Sequence, residues 1–147
     1  MIDIIDLVLE DHHTVEGLFD KLQAATGAVE QANLFSEVRE ALERHASAEE
    51  KVLYPWVRKD VPHGKAEVKD AEEEHEEIRN SLREVAEHEA GTELFTLAVA
   101  QLVATTKQHV LVEEAELLPD FRSHSELSER ERLGLHFEEA KTKAAVS

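Results

Sequence analysis

The fold of this chain follows from one stretch, His45-Ala-Ser-Ala-Glu-Glu-Lys-Val-Leu-Tyr-Pro-Trp-Val-Arg58, and from its repeat, His109-Val-Leu-Val-Glu-Glu-Ala-Glu-Leu-Leu-Pro-Asp-Phe-Arg122. The His, both Glu, one Leu, the Pro and the final Arg recur in register. In each copy the His and the first Glu are four residues apart, so on a helix they share one face, one turn apart. Each copy can therefore direct an imidazole nitrogen and a carboxylate towards a common point.

Apolar residues recur at three- and four-residue steps around these stretches, which is typical of amphipathic helices. The pattern predicts long helices over about residues 3–25, 30–59, 65–90 and 92–118. Four long helices joined by short loops favour an all-α, up-down-up-down four-helix bundle. A Ser-x-x-Glu pattern at residues 128–131 predicts a short C-terminal helix to about residue 143, which either covers one end of the bundle or serves an interface.

The other two long helices each carry a single histidine on the apolar stripe. His12 lies between Val8 and Val15, and His75 holds the equivalent position on the third helix. The chain therefore resembles two helical hairpins in tandem, each with one lone His and one His-x-x-x-Glu. His13 lies beside its stripe, and the four histidines in other positions are expected in solvent: His63, His88, His124 and His136.

Four His and two Glu on inward stripes need a compensating partner. An unpaired ionised carboxylate in an apolar interior costs several kcal/mol. A single buried His is more often a hydrogen-bonded core residue, but six such groups at matching heights favour a metal cluster. Nitrogen and carboxylate ligands without sulfur suit iron, manganese or zinc. Two carboxylates able to bridge favour two metals over one compact zinc site.

The net charge, the cysteine content and the hydropathy of the chain limit the partners and the kinds of site that it can have. The 147 residues carry a formal net charge of −17, which disfavours nucleic acid and anionic membrane surfaces as partners. The absence of cysteine excludes disulfides, zinc-thiolate sites and iron–sulfur clusters. The acidic amino terminus is unlike a signal peptide, and no apolar run approaches membrane-spanning length. We expect a cytoplasmic protein, a monomer or a weak homodimer.

The order His … His-x-x-x-Glu … His … His-x-x-x-Glu, with Glu-Glu-x-x-Leu-x-Pro after the second His, resembles the hemerythrin HHE cation-binding family. Within it, the chain is most similar to mycobacterial and other actinobacterial members. The resemblance covers residues 1–122, leaving residues 123–147 as a C-terminal helix and tail. It implies a four-helix bundle that holds two iron ions with an oxo or hydroxo bridge. The implied terminal ligands are His12, His45, His75 and His109, and the implied bridging carboxylates are Glu49 and Glu113.

The chain departs from oxygen-carrying members of this family. Those proteins place a second His one turn after the third-helix His, where this chain has Arg79. They also place Asp five residues after the last His, whereas Glu113 lies at four. Tyr54, the only tyrosine, either supplies a further phenolate ligand or packs at the bundle end like its counterpart Leu118. The carboxylates that follow the two ligand Glu are expected at the surface or behind the ligands: Glu50 and Glu114.

Resemblance to the actinobacterial members implies catalase-like removal of hydrogen peroxide and a role in oxidative-stress defence. The alternative is reversible binding or sensing of oxygen or nitric oxide without turnover. A third hypothesis, iron storage or a purely structural bundle, needs no open coordination position. The expected partners are therefore small molecules, with no nucleic acid and no membrane.

Overall fold

Seven α-helices and two π-helical turns make up the architecture of residues 1–146, the part of the chain that the computed structural model describes. In chain order they are α1 (Ile4–Ala24), α2 (Ala28–Ala48), π1 (Glu49–Leu53), α3 (Tyr54–Asp60), α4 (Gly64–Ala86), α5 (Glu93–Val112), π2 (Glu113–Leu117), α6 (Leu118–Ser123) and α7 (Leu127–Val146). No strand occurs among these residues. None of their helices is long and apolar enough to cross a membrane.

The elements join into four rods, which confirms the predicted all-α, up-down-up-down bundle. The rods are α1, the continuous α2-π1-α3, α4, and the continuous α5-π2-α6. Within the bundle α1 packs on α2, and α4 packs on α5. The third rod ends at Ala86, before the expected boundary near residue 90, because Val85 is the last buried residue of its stripe.

Two apolar cores fill the bundle, one on each side of a polar layer. The upper core includes Phe19, Phe35, Leu82 and Phe95. The lower core is formed by side chains that include Ile4, Leu53, Val57, Phe121 and Phe137. Between the cores lie the buried polar side chains His12, His45, Glu49, His75, His109 and Glu113.

The C-terminal helix α7 is 20 residues long and packs along α1, α2 and π1. Leu133, Phe137 and Ala140 add its apolar face to the lower core. Its start is tied to the start of the first helix, because Arg130 Nε donates to Asp3 Oδ2 at 2.8 Å. The backbones also approach closely, since a Cβ at Gly134 would lie 2.2 Å from the carbonyl oxygen of Ile2.

Candidate metal centre

The two buried glutamates are presented by wide π turns. Glu49 begins π1 and Glu113 begins π2, and each carbonyl accepts the N–H of the residue five positions later. A proline follows each turn, at Pro55 and Pro119. Because a proline lacks the N–H and its ring clashes with the carbonyl four residues back, a wider turn accommodates it within a continuous rod. Single π turns of this kind are frequent at functional sites.

The structure brings all six sequence-predicted His and Glu side chains together in the polar layer. Each is buried, with a relative exposure of 8% or less. Their ligand atoms fall into two groups, within which all atoms lie within 4.8 Å of one another. The first group comprises His12, His45, Glu49 and Glu113, and the second comprises Glu49, His75, His109 and Glu113. The two carboxylates belong to both groups, which is the arrangement that two bridged cations require.

Several inward atoms of these side chains have no hydrogen-bond partner. Glu49 Oε2 and Glu113 Oε1 are buried and unpaired, and so are the Nε2 atoms of His12, His45 and His109. An unsatisfied buried polar group costs about 1–3 kcal/mol, so five in one layer need an explanation. Unpaired nitrogen and carboxylate donors that converge in this way fit divalent or trivalent cations.

The outward nitrogen of each histidine is held by a carboxylate. The Nδ1–carboxylate distances are 2.6 Å for His12–Glu114 and 2.7 Å for each of His45–Asp11, His75–Glu50 and His109–Glu74. An Nδ1–H donated to a carboxylate leaves Nε2 free as a ligand and fixes the orientation of the ring. All four histidines are therefore prepared to bind through Nε2.

These four hydrogen bonds form a closed ring around the bundle. Asp11 of α1 accepts from His45 of α2, and Glu50 of π1 accepts from His75 of α4. Glu74 of α4 accepts from His109 of α5, and Glu114 of π2 accepts from His12 of α1. The sequence placed Glu50 and Glu114 near the ligands, but it did not single out Asp11 and Glu74. In the sequence each of these two residues directly precedes a lone histidine, Asp11 before His12 and Glu74 before His75.

Electrostatics in the layer are dominated by the buried carboxylates. Burial alone would lower the pKa of His45, but the charge of Glu49 and the hydrogen bond to Asp11 raise it to about 10. Burial likewise opposes the hydrogen bonds to Glu49 and Glu50, which raise the pKa of His75 to about 9. A proton and a metal cation compete for the same imidazole nitrogens beside the carboxylates, so binding of a cation should release protons.

Tyr54 lies inside the polar layer and not at the end of the bundle. Its hydroxyl is 2.7 Å from Glu113 Oε2, 3.2 Å from Glu49 Oε1 and 3.1 Å from His75 Nε2. The side chain is fully buried, and burial together with the two glutamate charges raises the pKa of the phenol well above its usual range. The hydroxyl is thus placed beside the second ligand group, and its binding to a metal remains a prediction.

Arg79 supports the layer from outside. Its guanidinium donates to both oxygens of Glu50, at 3.0 and 2.9 Å, and Glu50 in turn accepts from His75. Arg79 also lines a small cavity, of about 20 Å³, that reaches the four ligand histidines. Most of the other walls are apolar: Val15, Leu42, Ala46, Ile78, Leu82 and Val110. A small neutral molecule would fit this environment better than a charged one.

Comparisons with known proteins agree with this geometry. Residues 3–121 match the family model for the hemerythrin HHE cation-binding domain. A crystal structure of a hemerythrin HHE cation-binding domain-containing protein from Mycobacterium kansasii superposes with a TM-score of 0.88 at 19% identity, covering 98% of this chain and 88% of that chain. The chain is also 29% identical over 141 residues to a protein described as DNA nickase from Nostoc sp. (strain PCC 7120), covering 96% of this chain and only 40% of the relative's length.

Proposed function

The chain belongs to the hemerythrin HHE cation-binding domain family, and we propose that it is a non-haem di-iron protein that decomposes hydrogen peroxide. The observation that carries the two-metal proposal is the pair of ligand groups that share Glu49 and Glu113. In this proposal His12 and His45 would hold one iron, His75 and His109 would hold the other, and Glu49 and Glu113 would be shared by both.

The donor set supports iron or manganese over zinc. Imidazole and carboxylate ligands without thiolate suit iron and manganese, whereas a structural zinc site usually closes at four ligands around one ion. When bound, a di-iron pair would supply two-electron redox chemistry, which matches the conversion of two H₂O₂ to two H₂O and one O₂. That reaction balances without any further reductant.

The surrounding side chains support a small neutral oxidant as the substrate. The mostly apolar walls of the cavity next to the four histidines favour a small neutral molecule over a charged one. The Tyr54 hydroxyl lies 2.7 Å from Glu113 Oε2, so a phenol oxygen lies beside the shared carboxylates. Arg79 is engaged by Glu50 at the position where oxygen carriers place an extra histidine, and this favours turnover over reversible oxygen carriage.

A second candidate function is reversible binding of oxygen or nitric oxide. The same apolar cavity, open to the ligand histidines, suits a binding protein whose ligand enters and leaves unchanged. We do not propose DNA cleavage, because a net charge of −17 opposes approach to the phosphate backbone.

One set of measurements separates these functions. Two irons per chain, with oxygen evolved when peroxide is added to the ferric protein, is the expected result. Bound iron with no oxygen evolution, together with reversible oxygen-dependent spectra of the reduced protein, would favour the binding function. Iron binding well below two equivalents in the wild-type chain would overturn the di-iron proposal.

A further inference from the structure

The C-terminal helix reaches the candidate metal centre, although it lies outside the residues matched by the family model. Lys141 Nζ lies 2.5 Å from Asp11 Oδ1, and Asp11 Oδ2 lies 2.7 Å from His45 Nδ1. The ring of Phe137, also on α7, meets the His45 ring edge to face, with centroids 5.9 Å apart at 78°. Two side chains of α7 therefore act on one ligand histidine, one through a carboxylate and one by direct packing.

Cations support only part of the ring of carboxylates. Lys141 pairs with Asp11, which lies behind His45 of the first ligand group. Arg79 pairs with Glu50, which lies behind His75 of the second. Glu74 and Glu114 have no such Lys or Arg partner within residues 1–146. Each ligand group thus contains one histidine supported through a carboxylate–cation pair and one supported by a carboxylate alone. The internal repeat does not account for the pairing of Asp11 with Lys141, because Lys141 lies on α7 and α7 is not part of the repeat.

We propose that Lys141 is a positioning residue for the first metal position and that α7 is thereby part of the metal centre. By occupying one oxygen of Asp11, Lys141 restricts the rotation of that carboxylate and leaves the other oxygen for His45 Nδ1–H. The imidazole is then held with Nε2 towards Glu49, 3.1 Å from its Oε1. Phe137 packs against the imidazole and limits its tilt. This inference rests on the proposed di-metal centre.

The test compares two lysines of the same helix. Lys141→Met removes the contact with Asp11, and Lys143→Met is the matched control because Lys143 is exposed and its loss changes the net charge equally. Co(II) titration of each metal-free protein, followed by visible d–d absorption, reports both metal positions. We expect Lys141→Met to weaken one of the two Co(II) equivalents by about tenfold, as for other changes behind a metal ligand. The other equivalent, and both equivalents of Lys143→Met, should match the wild type.

A double-mutant cycle tests whether Lys141 acts through Asp11. In an Asp11→Asn background, Lys141→Met should cause little further loss of Co(II) affinity, because the charge that it holds is already absent. Lys141→Arg, which keeps a cation near Asp11, should recover much of the lost affinity.

Three results would overturn the inference. The first is a Lys141→Met titration that matches that of Lys143→Met. The second is an equal weakening of both equivalents, and the third is a full effect of Lys141→Met that persists beside Asp11→Asn. If the wild-type chain binds neither cobalt nor iron, the proposed metal centre fails and this inference fails with it. If the wild type binds two equivalents and Lys141→Met does so with unchanged affinity, only the role of Lys141 fails.

Discussion

Two adjacent histidines illustrate how much depends on the position of a residue around a helix. His12 is buried in the polar layer, whereas its neighbour His13 is exposed. We expect His12→Ala to weaken binding of one metal equivalent by at least about 100-fold, since it removes a nitrogen ligand and not merely its support. His13→Ala should leave both equivalents unchanged. Metal content after dialysis and Co(II) titration measure the difference, and equal losses in the two variants would contradict the assignment.

Tyr54 offers a spectroscopic prediction. Its hydroxyl lies within 3.2 Å of three proposed ligand side chains, and a phenolate bound to ferric iron gives visible charge-transfer absorption. We expect Tyr54→Phe to retain two irons and lose that absorption. The measurement is the visible spectrum of the ferric protein at matched iron content. If the variant keeps all of the wild-type absorption, Tyr54 is a hydrogen-bond donor to the carboxylates and not a ligand.

At the residue scale, the sequence was most informative where polar residues interrupt an apolar stripe. His45 and Glu49 stood out because a buried position normally carries an apolar side chain. Asp11 and Glu74 did not stand out, because the chain has 33 Asp and Glu and an acidic residue also directly precedes His88, which lies outside the polar layer. Tyr54 was singled out by its place in the repeat, but the π turn that directs it inward was not predicted.

The π turns give a prediction at the scale of the element. Pro55 disfavours a regular α-helical turn behind Glu49. Pro55→Ala should therefore permit tighter α-helical hydrogen bonding and misalign Glu49. We expect metal affinity to fall severalfold while the helical circular dichroism is kept. Pro62→Ala is the control, because Pro62 is exposed in the loop between α3 and α4. Equal effects of both substitutions would indicate that the π turn does not depend on its proline.

The docking of α7 can be tested through two glycines. A Cβ at Gly134 would lie 2.2 Å from the Ile2 carbonyl oxygen, whereas a Cβ at Gly17 would have nothing within 4 Å. We expect Gly134→Ala to lower the free energy of unfolding by about 1–3 kcal/mol, as overpacking does. Gly17→Ala should raise it slightly, by up to about 1 kcal/mol, because alanine is the better helix former. Urea unfolding of both variants measures this, and a neutral Gly134→Ala would mean that α7 is loosely held.

Most element boundaries were predicted to within about two residues, but α4 ends at Ala86, before the expected residue 90, and the fourth rod continues past Pro119 to Ser123. At the start of α5 the Thr92 hydroxyl is the cap, accepting from Phe95 N. The role of α7 could not be predicted, because periodicity reveals that a helix is amphipathic but not which surface it covers. Its contact with α1 depends on pairs such as Arg130 and Asp3, which are far apart in sequence.

For the whole molecule, we expect the metal-free protein to lose stability as the pH rises from about 6.5 to about 10. Although burial opposes the shift, the carboxylates raise the pKa of His45 from 6.5 to about 10 and that of His75 to about 9. Protons bound more tightly in the folded state stabilise it fully below the unfolded pKa, and this contribution is lost as the pH passes the folded pKa. We expect the Tm to fall by at least about 5 °C across this window.

Metal loading should remove most of that decline, because bound cations have already displaced these protons. Thermal unfolding from pH 6 to 10, with and without two equivalents of metal, makes the comparison. A metal-free protein whose Tm is constant across this range would contradict the assignment of protons to the histidines.

The bundle as a whole was predictable because its information is local and repeated. The periodic apolar stripes predict the helices, and the short loops predict that consecutive helices are antiparallel neighbours. The polar residues that interrupt each stripe at matching positions predict where along the bundle the polar layer lies. The division into two apolar cores follows from that layer, since buried polar residues at mid-height interrupt the stripes of all four rods.

The closed ring of carboxylate–histidine bonds has a consequence for the origin of the chain. Each hairpin supplies one carboxylate to its own second helix and one to the first helix of the other hairpin. Two identical copies of one hairpin, related by a twofold axis, would satisfy the same four bonds. The ring is therefore what duplication and fusion of a gene for a homodimeric ancestor would leave behind. Tyr54 and Arg79, which have no equivalent in the other half, would then have arisen after the fusion.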